Sequence, residues 1–139
     1  MHIVVIDGQG GKIGRLLIEG IRKELSTSVE ITAIGTNSIA TAVMMKAGAD
    51  HAATGENATL VAARRADVIT GPFGIVLADA LTGEVTPSMA AAVSQSDAVR
   101  VLIPFHRCNT FVVGAERKPI ADLIAEAITL IQHVAQENK

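Results

Sequence analysis

The strongest constraint on the fold comes from residues 3–17, IVVIDGQGGKIGRLL, where an apolar run leads through glycines into a helical pattern. The β-branched run Ile3–Ile6 predicts a buried parallel strand. Glycine lets the chain turn with positive φ and lets backbone approach a ligand closely. The cluster contains Gly8, Gly10, Gly11 and Gly14. The following helix offers free N–H groups to an anion, so this segment predicts a phosphate-binding βαβ unit.

The rest of the chain alternates strand and helix patterns. Strands are predicted at about 2–6, 29–34, 49–52, 67–71 and 99–103, and helices at about 12–25, 38–47, 56–65, 87–95 and 119–136. Residues 75–82 fit either a short helix or an extended piece. Only Pro104–Thr110 separates the fifth strand from the apolar run Phe111–Val113. Because this connection is too short for a parallel crossover, the run is predicted to form an antiparallel strand at the sheet edge.

Five βα units in succession predict an α/β fold of three layers, with a doubly wound, mostly parallel, Rossmann-like sheet. The chain of 139 residues is expected to form one domain over residues 1–139. Its composition is 49% hydrophobic, without Trp or Tyr, which predicts an aliphatic core. An apolar chain with exposed helices also suggests a homo-oligomer.

Charge and segment composition restrict the partners. The formal net charge of −2 gives no reason to expect a nucleic acid or an acidic membrane as partner. No apolar run approaches the ~20 residues that span a bilayer. The N-terminus leads directly into a strand with no sign of a signal peptide. The single Cys108 excludes an internal disulfide, and a cytoplasmic location is expected.

Two further loops are candidate ligand contacts, since open α/β sheets bind ligands at the carboxyl ends of their strands. Thr36, Asn37 and Ser38 follow the second strand and could bond a ribose or a 2′-phosphate, or could cap the second helix. No acidic residue stands there to hold a ribose 2′-hydroxyl. Gly71, Pro72 and Phe73 follow the fourth strand and are expected beside the glycine loop. The Phe73 ring could lie against a base or belong to the core.

Other polar residues at this edge have open roles. Asp7 would repel a pyrophosphate unless its carboxylate caps the N–H groups of the loop itself. Glu56 could act as a base, although helix capping is the simpler interpretation. His106 and Cys108 are too few for a zinc site, and no metal is expected. Cys108 beside Arg107 could be an activated thiol. Asn109 could orient a ligand or occupy a turn.

The segment GQGGKIGRLL resembles the cofactor loop of dihydrodipicolinate reductases, which bind NAD or NADP there. The spacing that matches is Gly8-x-x-Gly11-x-x-Gly14. The resemblance implies a cofactor contact through these glycines and the intervening backbone of Gln9, Gly10, Lys12 and Ile13. The second, substrate-binding domain and the paired-histidine catalytic motif of that family have no counterpart, so its chemistry does not carry over.

Over nearly the whole chain, the segments DGQGGKIG, GTNSIATA, KAGADHAATGENA, GPFGI and VLIPFHRCN…VVG resemble a family of short bacterial proteins defined by a domain of unknown function. The resemblance implies a bacterial, Rossmann-like, stand-alone protein. It brings no reaction, substrate or catalytic residue.

The sequence thus predicts a protein that binds a nucleotide or dinucleotide, NAD or NADP, at Gly8–Gly14. Two interpretations remain. The first is a small NAD(P)-dependent oxidoreductase. The second is a non-catalytic sensing or structural module that responds through oligomerisation or whose glycine turn is purely structural. A Gly11→Asp substitution should abolish binding, because a carboxylate would then stand at the phosphate position.

Overall fold

The computed structural model describes residues 1–25, 28–104 and 109–138, which form a layered α/β fold. The strands are β1 (His2–Asp7), β2 (Glu30–Gly35), β3 (His51–Thr54), β4 (Val68–Pro72) and β5 (Val99–Ile103). The helices are α1 (Lys12–Leu25), α2 (Ser38–Lys46), α3 (Glu56–Arg65), α4 (Pro87–Gln95) and α5 (Ile120–Glu137). A 3-10 helix at Phe73–Val76 follows β4 directly.

The five strands form one sheet in the order β3-β2-β1-β4-β5, and every neighbouring pair is parallel. The central strand β1 pairs with β2 on one side and β4 on the other, so that Ile3 lies between Ile31 and Val68. The chain first builds outward through β2 and β3 and then returns to the other side of β1. The carboxyl ends of β1 and β4 therefore flank the point where the strand order reverses, which is where such sheets leave a crevice.

Alternate residues of β1 enter two cores, one on each face of the sheet. Ile3 and Val5 pack with buried residues of α1, α2 and α5. Val4 and Ile6 pack with buried residues of α3 and α4. Both cores are aliphatic and rich in alanine, as the composition predicts. The parallel sheet with helices on both faces is confirmed, and β3 lies two residues later than predicted. None of the helices in the described ranges is long and apolar enough to cross a membrane.

The predicted antiparallel edge strand at 111–113 is wrong. Neither Phe111, Val112 nor Val113 is assigned to a strand, and their exposed fractions are 79%, 43% and 101%. The segment instead bends, because the Ala115 N–H donates to the Val112 carbonyl and Gly114 has a φ of 87°. The sheet ends at β5 within the described residues. A β-branched run predicts a strand only where a neighbouring strand edge is in reach, and this turn directs the run elsewhere.

Asp50, just before β3, links α1 to β2. Its Oδ2 accepts a 2.8 Å hydrogen bond from the Ile31 N–H and lies 2.6 Å from Nη2 of Arg22. The Ile31 N–H and then the Arg22 guanidinium hold the pKa of the Asp50 carboxyl below its ordinary value. A carboxyl whose pKa is lowered by folding stabilises the protein above its unfolded pKa. That contribution is lost as the pH falls through the lowered folded value.

We expect Asp50→Asn to lower the free energy of unfolding at neutral pH by about 0.5–1 kcal/mol, a small effect because the ion pair is partly exposed. In acid, where the wild-type carboxyl is protonated, the difference should shrink. Urea unfolding at both pH values measures it, with Asp97→Asn as a control at an exposed carboxyl that has no ion pair within the described ranges. An equal deficit at both pH values would contradict the assignment.

Candidate ligand-binding site

The glycine loop turns tightly between β1 and α1. The Gly11 N–H donates to the Gly8 carbonyl at 2.9 Å, and the Arg15 N–H donates to the Gly11 carbonyl at the start of the helix. Gly11 has a φ of 76°, and an added Cβ would lie 3.0 Å from Cα of Ala40 in α2. Glycine is required here for both reasons, because a side chain would be strained and would press on the backbone of α2.

Asp7 supports the loop from its buried side. Its two carboxylate oxygens accept hydrogen bonds from the N–H groups of Gly8 at 2.8 Å and Gly14 at 2.7 Å. Burial raises the pKa of Asp7 above its ordinary value, the N–H donors of the loop oppose this, and the nearby Glu84 carboxylate adds to it. Of the two sequence alternatives for Asp7, the structure has the one in which the carboxylate caps the loop. The N–H groups of Gly8 and Gly14 thereby offset the negative charge of this carboxylate.

A second carboxylate, that of Glu84, binds the loop from its outer side. Its Oε1 accepts hydrogen bonds from the Gln9 N–H at 3.0 Å, from Oγ1 of Thr36 at 2.7 Å and from Nδ2 of Asn37 at 2.7 Å. Partial burial raises the pKa of Glu84, but the three hydrogen bonds outweigh burial and hold the pKa below its ordinary value. Glu84 therefore joins the glycine loop to the carboxyl end of β2 as an ionised group.

A cleft of about 520 Å³ opens beside the glycine loop, at the point where β1 and β4 are neighbours. This volume falls within the usual range of small-molecule sites. Its lining residues are Asp7, Gly8, Gln9, Gly10, Gly11, Lys12, Ile13, Pro72, Gly74, Leu81, Thr82 and Ile120. One wall is thus the continuous backbone of the loop and the first turn of α1. The other walls are mostly apolar, from the end of β4, the loop before α4 and the start of α5.

Two donors in this wall remain available. The N–H groups of Gly10 and Lys12 donate to no protein atom in the part of the chain that the structure describes. The Lys12 ammonium has no carboxylate partner within the same residues. Both positions belong to the N-terminal end of α1, where the helix dipole adds a partial positive charge. The arrangement is suited to hold an anion.

The sequence-predicted site residues separate into two groups. Residues 8–13 and Pro72 line the cleft. The others have packing or internal hydrogen-bonding roles. Gly14 packs against Met44 and Gly71 against the Ile6 carbonyl, and the side chains of Thr36 and Asn37 donate to Glu84. Ser38 is the exposed first residue of α2, and Phe73 is half-buried in the 3-10 helix. Asn37 also caps α2 through the Ala40 N–H. The predicted ligand contacts therefore come together only around the glycine loop.

Of the other polar residues with open roles, Glu56 and Asn109 are not among the residues that line the cleft. Glu56, in the first turn of α3, accepts a 2.6 Å hydrogen bond from Oγ1 of Thr86, the residue that caps α4. Asn109 is exposed with a φ of 49°, as in a turn. His106 and Cys108 lie outside the described residues. Within the described ranges, no group of three or more His, Cys, Asp or Glu side chains is arranged to hold a metal ion.

Sequence reasoning missed Glu84 and three lining residues, Leu81, Thr82 and Ile120. Glu84 meets Gln9 and Thr36 from 75 and 48 positions away along the chain. Ile120 fits the apolar stripe of the last helix and carries no mark of a site. Only the unassigned segment 75–82 gave a signal, since its ambiguous pattern is typical of irregular loops that contact ligands.

Comparison with known proteins supplies a family but no activity. The crystal structure of a dodecameric FMN-dependent UbiX-like decarboxylase from Escherichia coli O157:H7 is similar, with a TM-score of 0.47 and 18% sequence identity. The match covers 97% of this chain and 76% of that one, and at this level it carries no functional conclusion. No curated protein matches the chain. The model of the domain of unknown function DUF3842 matches residues 2–136, and the chain therefore belongs to the DUF3842 family.

Proposed function

We propose that this protein binds a phosphate-bearing small molecule, a nucleotide or dinucleotide, in the cleft beside the glycine loop. One observation carries the proposal: Gly10 and Lys12, whose N–H groups have no protein partner in the described residues, line a cleft of about 520 Å³. Unpaired N–H groups at a helix start are the usual donors to a phosphate oxygen. The ammonium of Lys12 adds a full positive charge on the same side.

The apolar walls suit the remainder of such a ligand. Pro72, Leu81 and Ile120 line the cleft opposite the loop and could cover the face of a base or another ring. The strand order β3-β2-β1-β4-β5 is the Rossmann-type order, which binds nucleotides at the carboxyl ends beside the central strand. NAD and NADP are therefore among the ligands to test.

The residues that line the cleft favour a protein that binds its ligand without catalysing a reaction. Among the described residues that line the cleft, the side chains that ionise are those of Asp7 and Lys12. The carboxylate of Asp7 is occupied by the N–H groups of the loop, and Lys12 would neutralise charge on the ligand. General acid–base chemistry needs a group that is free to take or give a proton at the ligand. A sensing module, with oligomerisation as its response, accordingly accounts for the site better than an oxidoreductase.

A thermal unfolding series tests the proposal with inorganic phosphate, AMP, ATP, FMN, NAD⁺ and NADP⁺ as probes. A ligand at a hundred times its dissociation constant should stabilise the folded state by about 2.7 kcal/mol and raise Tm by several degrees. Lys12→Met should weaken the binding of that ligand by about tenfold, since one charge-assisted contact is lost.

Lys23→Met is the matched control. It removes the same charge at the opposite end of α1, where Lys23 is exposed, and should leave the affinity unchanged. The proposal is overturned if none of the six probes raises Tm. It is also overturned if both lysine variants weaken binding equally, because the effect would then reflect net charge alone.

A further inference from the structure

The loop between the 3-10 helix and α4 covers the side of the glycine loop that faces β2. Leu81 and Oε1 of Glu84 approach Gly8 so closely that an added Cβ there would lie 2.9 Å from each. Through Glu84 the same loop reaches Thr36 and Asn37 at the carboxyl end of β2. The open cleft begins at this loop, whose Leu81 and Thr82 also line it, and extends towards Pro72 of β4 and Ile120 of α5.

This covering loop has a defined structure, held by its own backbone hydrogen bonds and by apolar packing. The Asp79 N–H donates to the Val85 carbonyl at 2.7 Å, and the Val85 N–H donates to the Ala80 carbonyl at 3.1 Å. Val85 and Ala80 are buried with Met89 in a small apolar cluster of their own. The tip of the covering loop has left-handed backbone at Asp79, Leu81, Thr82 and Gly83, with φ values of 66°, 56°, 58° and 87°. Left-handed backbone at non-glycine residues is costly, and such strain concentrates at functional sites.

The position that this loop occupies matters for the kind of nucleotide that fits. A dinucleotide on a Rossmann-type sheet crosses the helix N-terminus with its pyrophosphate and places one nucleoside beside the end of the second strand. Here the donors at that end, Oγ1 of Thr36 and Nδ2 of Asn37, are already bound by Glu84. The ionised carboxylate would also repel a second phosphate or a 2′-phosphate approaching from the glycine loop.

We propose that the loop carrying Glu84 restricts the cleft to mononucleotides, because it fills the place beside β2 that the second nucleoside of a dinucleotide needs. The proposal rests on the proposed function and narrows its ligand class. A single phosphate binds at Gly10 and Lys12, and its attached ring lies between Pro72, Leu81 and Ile120. NAD and NADP, which each carry two nucleosides, are then poor ligands for the wild-type protein.

The test compares ligands that differ by one nucleotide unit, measured by isothermal titration calorimetry. The pairs are AMP with NAD⁺ and FMN with FAD. We expect the mononucleotide of the pair that binds to have an affinity at least about tenfold higher than that of its dinucleotide. Glu84→Ala should narrow this ratio at least threefold, because dinucleotide binding improves relative to mononucleotide binding.

Two further variants complete the design. Glu84→Gln keeps the side-chain shape while removing the charge, so it separates repulsion from steric filling and should give an intermediate ratio. Glu24→Gln makes the same charge change at an exposed position near the far end of α1 and should leave the ratio unaltered. A variant that unfolds would be recognised by its Tm.

Failure of this inference is distinct from failure of the proposed function. A dinucleotide that binds wild type as tightly as its mononucleotide overturns the restriction and leaves the proposed function intact. An affinity ratio between mononucleotide and dinucleotide that is the same in wild type and in Glu84→Ala also overturns the restriction and leaves the proposed function intact. If no phosphate-bearing probe binds at all, the proposed function is overturned and this inference with it.

Discussion

A Gly10→Asp variant is expected to fold normally and to lose at least about a hundredfold in ligand affinity. Gly10 lines the cleft, its φ is not positive, and an added Cβ would meet no atom within 4 Å. A side chain is therefore accommodated without strain. Its carboxylate would stand near the proposed phosphate position, and placing like charges together costs several kcal/mol, the equivalent of a hundredfold or more.

Gly10→Asn is the matched control, because it has nearly the same shape without the charge. We expect it to weaken binding much less than Gly10→Asp. Calorimetric affinity and Tm should be measured for both variants with the ligand that the thermal series identifies. Unchanged affinity in Gly10→Asp would remove the phosphate from this part of the loop. Gly11→Asp, the choice suggested by the sequence, is unsuitable because Gly11 has a φ of 76° and packs against Ala40, so binding and folding would fail together.

Gly71→Ala should cause a large loss of stability, about 3–5 kcal/mol. An added Cβ at Gly71 would overlap the carbonyl oxygen of Ile6, and it would lie 3.3 Å from Cδ1 of Ile75. Ile6 cannot withdraw, since it belongs to the central strand and is paired with Ile34 of β2. The clash must be relieved by separating β1 from β4, which disturbs both the core and the cleft.

Urea unfolding with Gly55→Ala as control measures this effect. Gly55 also has a positive φ, 96°, but an added Cβ there would meet nothing within 4 Å. Gly55→Ala therefore has the cost of placing a side chain at positive φ, about 1 kcal/mol, but no steric clash with a neighbouring strand. If the two variants lose similar stability, the close approach of Gly71 to β1 is not what requires glycine.

The parts of the molecule that sequence could predict are those whose physics is local. β1, the glycine turn and the start of α1 lie within residues 3–17, where strand residues, turn residues and helix periodicity are adjacent. The cap of α4 is local in the same sense, because Thr86 and Pro87 are consecutive. Parallel pairing follows from the alternation of strands and helices, and the five-stranded sheet was predictable for that reason.

The parts that escaped prediction depend on contacts between distant segments. Glu84 is an ordinary loop residue until the fold brings it to Gln9, Thr36 and Asn37. The run 111–113 has the residues of a strand, yet a strand also needs an available edge, which no local pattern records. Gly71 is read equally well as a ligand contact or as a packing requirement, and only the position of the Ile6 carbonyl distinguishes them.

The two hydrogen bonds that Asp7 accepts have a consequence for the thermodynamics of binding. Because these hydrogen bonds join groups of the chain itself, they hold Gly8 and Gly14 in place once the chain folds. The conformational entropy lost on ordering the loop therefore belongs to folding and does not reduce the binding free energy. A ligand with few atoms can then bind measurably, since most of its contact energy remains available as affinity.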